Sequence, residues 1–520
     1  MNFFRSFLSA IVPRFAVWVC LLGLLLQMLS VGWWDVMDDW PEGAHAWRQA
    51  DALSQTMKFH QHPQAPFWRP SMHFLHGKGG RGAGEFTGSY WLNARLWEWT
   101  GAEAPLPATL RWTHVLVWLA GLMALFAWVR HLTESPIWAM LVPWFVQASP
   151  VVAFYAPSLL VNPMGLAFVF IGWWAAGRHR WVWAALAMML AMLFRPTMGL
   201  GLVPLVLLAW RDEQWRAAAW ASAVAIGGAG AWVVWAKSYN ATHESVYFLT
   251  STSPLTEVLK NGQWSTFWTL FQDVMLQEWY PEEVRWLIGA AFVVVLVLAA
   301  RRRDLRFWAG WAVATLLAVG AYIYMWFGRL NHHDYYLMDV HVLTPVLLVA
   351  FHQILPASPA RRQLAGFIGL VAIVWSSSSA RDRAAMKWGL PAVPEHSKHF
   401  SGWEGAMWRN HHMIWRQRLE GMDSLASRWD ALGVGEDAVL VCLPDASPNI
   451  ALSRLGRDGY TGLYENDLKA GQRVAHYASL GATHFVVLDP QILNEGEWND
   501  VSMTPVDTSG AVWLFSLHDE

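Results

Sequence analysis

Apolar runs close to the length needed to cross a bilayer recur along this 520-residue chain, at about 11–34, 112–130, 136–155, 158–177, 181–195, 197–210, 216–237, 285–300, 306–328, 335–353 and 363–379. A hydrocarbon layer takes about 20 helical residues to span, and inside it only helices or closed barrels satisfy their own backbone hydrogen bonds. The runs therefore predict a polytopic α-helical membrane protein with about 11 transmembrane helices. Composition agrees: 55% of the residues are hydrophobic and 15% charged, too apolar a balance for a soluble chain of this length. The first run is longer than a signal-peptide core and ends without a small-x-small cleavage pattern, so it reads as a retained helix. The fifth and sixth runs share Arg195-Pro196 and read as two tilted helices with a tight turn or as one broken hairpin.

With a cytoplasmic amino terminus, every short inside loop is basic: Arg130-His131, Arg178-His179-Arg180, Arg211 to Arg216, Arg301-Arg302-Arg303 with Arg306, and Arg361-Arg362. The positive-inside rule favours that orientation. It leaves 35–111, 238–284, 329–334 and 380–520 on the extracytoplasmic side. The 35–111 loop holds two Trp- and Leu-bearing helical stretches, roughly His45 to His60 and Tyr90 to Thr100, whose amphipathic character suits the headgroup layer. After Arg381 the hydropathy falls. "AVLVCLP", "THFVVLD" and "VWLFSL" read as strands, "SPNIALSRLG" and "LKAGQRVAHYASLG" as helices, a small α/β domain over 381–520 behind a membrane domain over 1–380. No glycine-rich phosphate loop follows its first strand.

The net charge of −2 carries no basic field that would draw a nucleic acid. Cys20 lies in the first apolar run and Cys442 in a strand, so no disulfide is expected between them. Most of the 38 tryptophans read as interfacial belt and core packing. The ionisable residues are more informative, because in this topology they collect at one boundary. The first outer loop offers Asp38, Asp39, Glu42, His45, Arg48, Gln49, Asp51 and Glu85. The fourth run begins at Asn162-Pro163, Arg195 stands at the outer end of the fifth, and the ninth ends in "GRLNHHDYY". Carboxylates and cations gathered at bilayer level suit a reaction on a lipid-borne phosphate. His45 and Asp51 are six apart, too far round a helix to form a dyad.

Three stretches, "HAWRQAD" (45–51), "GEFTGSYW" (84–91) followed by "LRWTHVL", and "NHHDYYLMDVHVLTP" (331–345), resemble the GT-C superfamily of membrane glycosyltransferases. The resemblance points to its protein-mannosyltransferase-like and lipid A aminoarabinose transferase-like bacterial branch and covers about residues 10–350. It implies a glycosyltransferase, hexosyl- or pentosyl-, that takes a sugar from an isoprenoid phosphate of undecaprenyl type. The acceptor would be an envelope glycan, lipid or protein on the outer face of a bacterial inner membrane. An acidic residue of the first outer loop would serve as general base or orient the acceptor: Asp39 or Glu42, with Glu85 as the second acid of that loop. His45, Arg48, Gln49, Arg195, Arg329, His332, His333 and Tyr336 would bind the donor phosphate or substrate. A divalent cation is possible, its ligands unknown, and no other cofactor is implied. Thr87 stands where the Glu-x-Pro-like context often has proline, and Asn162 where related enzymes place a further acid.

Two other readings make different demands. A lipid transporter requires ionisable residues at helix centres and broken helices in paired halves, whereas here Asp339 is the clearest mid-run charge and no paired halves appear. An O-antigen ligase or polymerase would also work on lipid-linked sugars, but the long first loop with its two helices favours the glycosyltransferase. The topology is directly testable. A reporter active only outside the cytoplasm should be active when fused after Glu520 and silent after Arg303; the reverse pattern would overturn the map.

Overall fold

The computed structural model describes residues 2–101, 106–245, 252–330, 333–356, 358–390, 397–465, 467–495, 498 and 501–517. Each of the eleven apolar runs is helical. Among the described residues, six helices are long and apolar enough to cross a membrane: Leu106–Thr133, Trp215–Thr242, Glu282–Arg301, Arg303–Leu330, Asp334–Ile354 and Ala360–Trp388. Phe15–Val31, Pro136–Gln147, Trp181–Phe194 and Pro196–Arg211 are shorter apolar helices. The chain is an integral membrane protein.

Two runs depart from a simple span. The 136–155 run breaks into Pro136–Gln147 and Pro150–Tyr155, because Pro150 has no amide hydrogen to continue the helix and takes its first turn instead. At Arg195-Pro196 the chain leaves Trp181–Phe194, passes through the 3-10 turn Pro196–Gly201 and enters Leu202–Arg211. That is the two-helix alternative.

The chain clusters into two compact units, one of Met1–Met37, Arg111–Trp232 and Thr250–Gly402, the other of Asp38–Leu110, Val233–Leu249 and Trp403–Glu520. Neither follows the hydropathy drop at Arg381. The helix Pro359–Trp388 runs on past Arg381, and Arg383 and Lys387 in its final turns are buried and ion-paired rather than solvated.

The helical unit is packed through tryptophans, and the indole N–H groups of its four most deeply buried ones find acceptors. Trp33 donates to the Ala153 carbonyl (2.8 Å), Trp118 to Gln147 Oε1 (2.7 Å), Trp173 to the Gly201 carbonyl (2.8 Å) and Trp311 to the Pro204 carbonyl (2.9 Å). A buried indole without such a partner would forfeit the benefit of its large apolar surface. Gly121 lets Leu106–Thr133 approach Asn162–Gly177 closely: a Cβ there would lie 2.5 Å from the Ala167 Cα.

The second unit contains a five-stranded sheet of β1 (Leu440–Leu443), β2 (Gly459–Thr461), β3 (His484–Val487), β4 (Thr504–Asp507) and β5 (Trp513–Ser516), in the order β2-β1-β3-β5-β4. β1 is parallel to β2 and β3; β5 is antiparallel to β3 and β4. Three strands match the sequence reading. β2 and β4 are too short and polar to show an alternation. The edge of β2 is covered by the first-loop segment around Phe74, with Gly459 N–H donating to the His73 carbonyl (2.9 Å) and Leu75 N–H to the Gly459 carbonyl (2.8 Å).

The helix Ala46–Gln61 in this unit is not the half-exposed interfacial helix that its sequence suggests. Eleven of its residues are buried, on all sides, between Gly88–Trp99 and Ile450–Leu455. Its polar members are bonded in the interior. Asn449 Nδ2 donates to Asp51 Oδ1 (2.8 Å), and Asn449 Oδ1 accepts from Ser54 Oγ (3.0 Å) and Phe74 N–H (3.2 Å). Ser54 Oγ also lies 2.9 Å from His73 Nδ1. Burial, reinforced by Lys58 and Arg457, pushes His73 down to about 3, so its imidazole is neutral.

Asn449→Ala removes the partners of three buried groups at roughly 1–3 kcal/mol each. It should destabilise this unit by about 3 kcal/mol or more, read as a lower melting temperature and faster proteolysis within 403–520. His73 adds a pH dependence. Its folded pKa is depressed below the ordinary 6.5, so its contribution is present above 6.5 and is lost as pH falls from there toward about 3. The melting temperature of His73→Asn should therefore fall less steeply with acid than that of the natural chain; equal slopes would contradict the buried neutral imidazole.

Candidate functional site

The residues singled out in the sequence fall into two sets, one in each unit. In the second unit, Glu85 is clamped by two donors: Arg48 Nη2 donates to Oε1 (2.5 Å) and Tyr90 Oη to Oε2 (2.9 Å). Arg48 also reaches Asp51 across one helical turn (3.5 Å). Burial first, and then the Glu85 carboxylate, raises the Tyr90 phenol well above its usual value, which keeps its proton available for this bond. "HAWRQAD" and "GEFTGSYW", separate in sequence, thus meet through Arg48, Glu85 and Tyr90.

The remaining first-loop residues are positioned differently. Asp39 is exposed and Glu42 half-buried, in the irregular turn between Trp33–Val36 and Ala46–Gln61. His45 precedes that helix in a left-handed conformation (φ 54°), and Gln49 is buried with Nε2 donating to the Ala44 carbonyl (3.3 Å). Gln49 therefore shapes the turn. The chemistry available here is a clamped carboxylate–guanidinium pair together with the carboxylates of exposed Asp39 and half-buried Glu42.

In the helical unit, the 3-10 segment Asp334–Val342 gathers the second set. Arg195 Nε donates to Asp339 Oδ2 (3.3 Å), Thr197 Oγ1 bonds the same oxygen, and the Arg195 guanidinium lies 4.1 Å from the centre of the Tyr336 ring. His333 is 5.7 Å from that ring, and Arg329 ends the preceding helix, half-buried. His332 lies outside the described residues. Asp339, the charge that stood out within an apolar run, is thus the counter-ion of Arg195. The Nη2 of Arg195 makes no hydrogen bond among the described residues. Asn162 is buried, and neither atom of its amide is hydrogen-bonded among them.

A further charged group escaped the sequence reading. Lys387 Nζ sits 2.5 Å from Asp334 Oδ2 and 2.7 Å from Glu278 Oε2, while Arg383 contacts the other Glu278 oxygen (2.7 Å) and donates to the His399 carbonyl (2.6 Å). Tyr155 Oη donates to Asp334 Oδ1. All four charges are buried. Asp334 was visible in "NHHDYY", but its partners arise in "LQEWYPEE" and "ARDRAAMKW", each of which looks like an ordinary polar helix end. Among the described residues no group of three or more His, Cys, Asp or Glu side chains is arranged to hold a metal ion.

No protein-family model and no curated protein matches the chain. Solved structures do. ArnT from Cupriavidus metallidurans in the apo state superposes with a TM-score of 0.53 at 13% identity, over 96% of this chain and 98% of that one. The arabinofuranosyltransferase AftD from Mycobacteria gives 0.55 at 14% identity, over 96% of this chain and 40% of that longer one. The archaeal oligosaccharyltransferase AglB from Archaeoglobus fulgidus, in complex with an inhibitory peptide and a dolichol-phosphate, gives 0.50 at 11%, over 96% and 74%. The chain has the fold of the GT-C membrane glycosyltransferases. That fold extends through the small sheet as well as the helices.

The buried charge group yields a stability test. Lys387→Met leaves Glu278 with Arg383 but strips Asp334 of its cation, and breaking a buried pair costs about 3–5 kcal/mol. Adding Asp334→Asn removes the stranded charge and should restore most of the melting temperature of the purified protein. A double variant no more stable than the single one would show that the pair does not hold the segment.

Proposed function

We propose that this protein is a glycosyltransferase that moves a sugar from an isoprenoid-phosphate carrier to an envelope glycan, lipid or protein acceptor on the extracytoplasmic side of a bacterial inner membrane. The observation that carries the reading is the extent of the fold: this chain and ArnT cover one another almost end to end. AglB, of the same fold, was solved with a dolichol-phosphate, an isoprenoid phosphate. The basic short loops support the orientation.

In such a transfer the acceptor hydroxyl oxygen attacks the anomeric carbon and forms the new C–O bond. The bond from that carbon to the phosphate oxygen breaks, and its electron pair leaves with the lipid phosphate. The hydroxyl proton passes to a carboxylate, a service worth about 10²–10⁴ in rate. Asp39 and Glu42 suit that task best, because both retain solvent access in an irregular turn. Glu85, with an oxygen bonded to each of Arg48 and Tyr90, orients the first loop and with it the acceptor. Fixed cations stabilise charge developing on the phosphate. Arg195 has an N–H edge to spare beyond Asp339, and Arg329, His332 and His333 cluster in sequence just before the 3-10 segment.

The assignment predicts that Asp39→Asn or Glu42→Gln lowers transfer of labelled sugar from a polyprenyl-phosphate donor by about 10²-fold or more, with donor binding retained. Glu85→Gln should likewise abolish transfer. Near-normal turnover in all three variants would remove the first loop from the chemistry.

A further inference from the structure

Four helices of the helical unit, Pro136–Gln147, Glu282–Arg301, Leu343–Ile354 and Pro359–Trp388, enclose a groove of about 230 Å³ lined by apolar side chains. Leu287 and Ile368 in its lining are 43% and 44% exposed, so the groove opens sideways, toward what is hydrocarbon around a membrane protein. Small residues make the space. Ala290, Ala291, Ala365, Gly369 and Ala372 line it, and a Cβ added at Gly369 would meet only Leu141 Cδ1, at 3.9 Å. Gly121 is needed where two helices approach closely; Gly369 is not, and what it leaves is room.

One end of the groove is basic. On Pro359–Trp388, Arg361, Ala365, Ile368 and Ala372 recur at intervals of three and four; on Glu282–Arg301, Leu287, Ala291, Val294, Leu298 and Arg301 do the same. Helical spacing thus carries each lining stripe to an arginine. Both arginines are exposed, and among the described residues neither forms an ion pair. The stretches at this end, 130–135, 301–306 and 355–362, hold seven arginines and two acids, and Asp304 is already paired with Arg302 (2.6 Å). Trp138 lines the groove at the same end. It is 5% exposed, and its Nε1 makes no hydrogen bond among the described residues; nor does either nitrogen of His352, 2% exposed with its ring 5.2 Å away. Buried polar groups of this kind normally have a partner.

We propose that the groove holds an acyl chain of an anionic diacyl phospholipid, with a glycerol ester carbonyl at Trp138 and His352 and the phosphodiester on Arg301 and Arg361. The order of groups matches: hydrocarbon, then an uncharged acceptor, then an anion. An isoprenoid phosphate lacks the middle group, because its phosphate follows the hydrocarbon directly. A zwitterionic lipid brings a cation of its own to the arginines. On the topology read from the basic loops this end faces the cytoplasmic leaflet, where basic pockets between helices suit anionic headgroups. Arg195 and Arg329 stand at the opposite ends of their helices from the basic loops, so the site is separate from the donor phosphate and independent of the glycosyltransferase reading. The bound lipid braces Glu282–Arg301 against Pro359–Trp388, the helix that carries Arg383 and Lys387.

The test uses the full chain in phosphatidylcholine nanodiscs doped with either phosphatidylglycerol or phosphatidylcholine that carries a photoreactive diazirine in one acyl chain. Crosslinks within 287–294 and 365–372 are measured by peptide mass spectrometry against those on Trp181–Phe194, whose exposed Val182 and Trp183 report lipid that merely surrounds the protein. The ratio should be about tenfold higher for phosphatidylglycerol than for phosphatidylcholine. Arg301→Gln combined with Arg361→Gln should bring the two lipids within about twofold of each other. Both positions are exposed, and Arg302, Arg303, Arg306 and Arg362 remain, so the fold and the sign of the loops are kept. Gly369→Leu, which puts a side chain into the groove, should remove the excess as well. Equal ratios for the two lipids in the natural chain mean surrounding lipid only and overturn the proposal, as does an excess that survives the double arginine variant. Displacement by inorganic phosphate would leave an anion site without a lipid, and displacement by polyprenyl phosphate more readily than by unlabelled phosphatidylglycerol would make the groove a carrier site; either result also overturns it.

Discussion

Within the helical unit, Lys387 is buried between two carboxylates, Glu278 and Asp334. Isolated, each of these charges would be costly in a buried setting. Together with Arg383 they form a neutral group of two cations and two anions, and the group ties three stretches of chain: the end of Pro359–Trp388, the short helix Leu276–Trp279 and the start of the 3-10 segment. That segment carries Tyr336 and Asp339 to Arg195. The placement of the most distinctive sequence motif is therefore set by residues far from it, whose own surroundings in sequence look unremarkable.

The second unit rests on an equivalent but uncharged device. Asn449 bonds Asp51, Ser54 and the backbone at Phe74, joining the first loop to the carboxyl-terminal sheet across 398 positions in the case of Asp51. Because its donors and acceptors are saturated, the helix Ala46–Gln61 can be buried on all sides despite a polar sequence. The same burial fixes the start of that helix, so Arg48 can hold Glu85.

These arrangements change what several charges are suited to do. Arg195 is no unattached snorkelling cation: part of its charge is balanced by Asp339 and its plane rests on Tyr336, which leaves a directed N–H edge rather than a diffuse field. Glu85 is likewise restrained, by Arg48 and Tyr90, while Asp39 is exposed.

What the sequence by itself determined is local and periodic. Apolar length gave the helices, short apolar runs gave β1, β3 and β5, and Arg195-Pro196 marked a real interruption, whereas the break at Ser149-Pro150 went unread. The motifs "HAWRQAD", "GEFTGSYW" and "NHHDYY" pointed to the fold family that the solved structures show. Tertiary structure alone decided partnership. Nothing in a window of twenty residues distinguishes an Asp51 that solvates a helix face from one that meets Asn449, or a Lys387 at a helix end from one enclosed by two carboxylates. A helix period is set by neighbours three and four residues away, but the partner of a buried charge is set by whichever distant segment the packed core brings within about 3 Å.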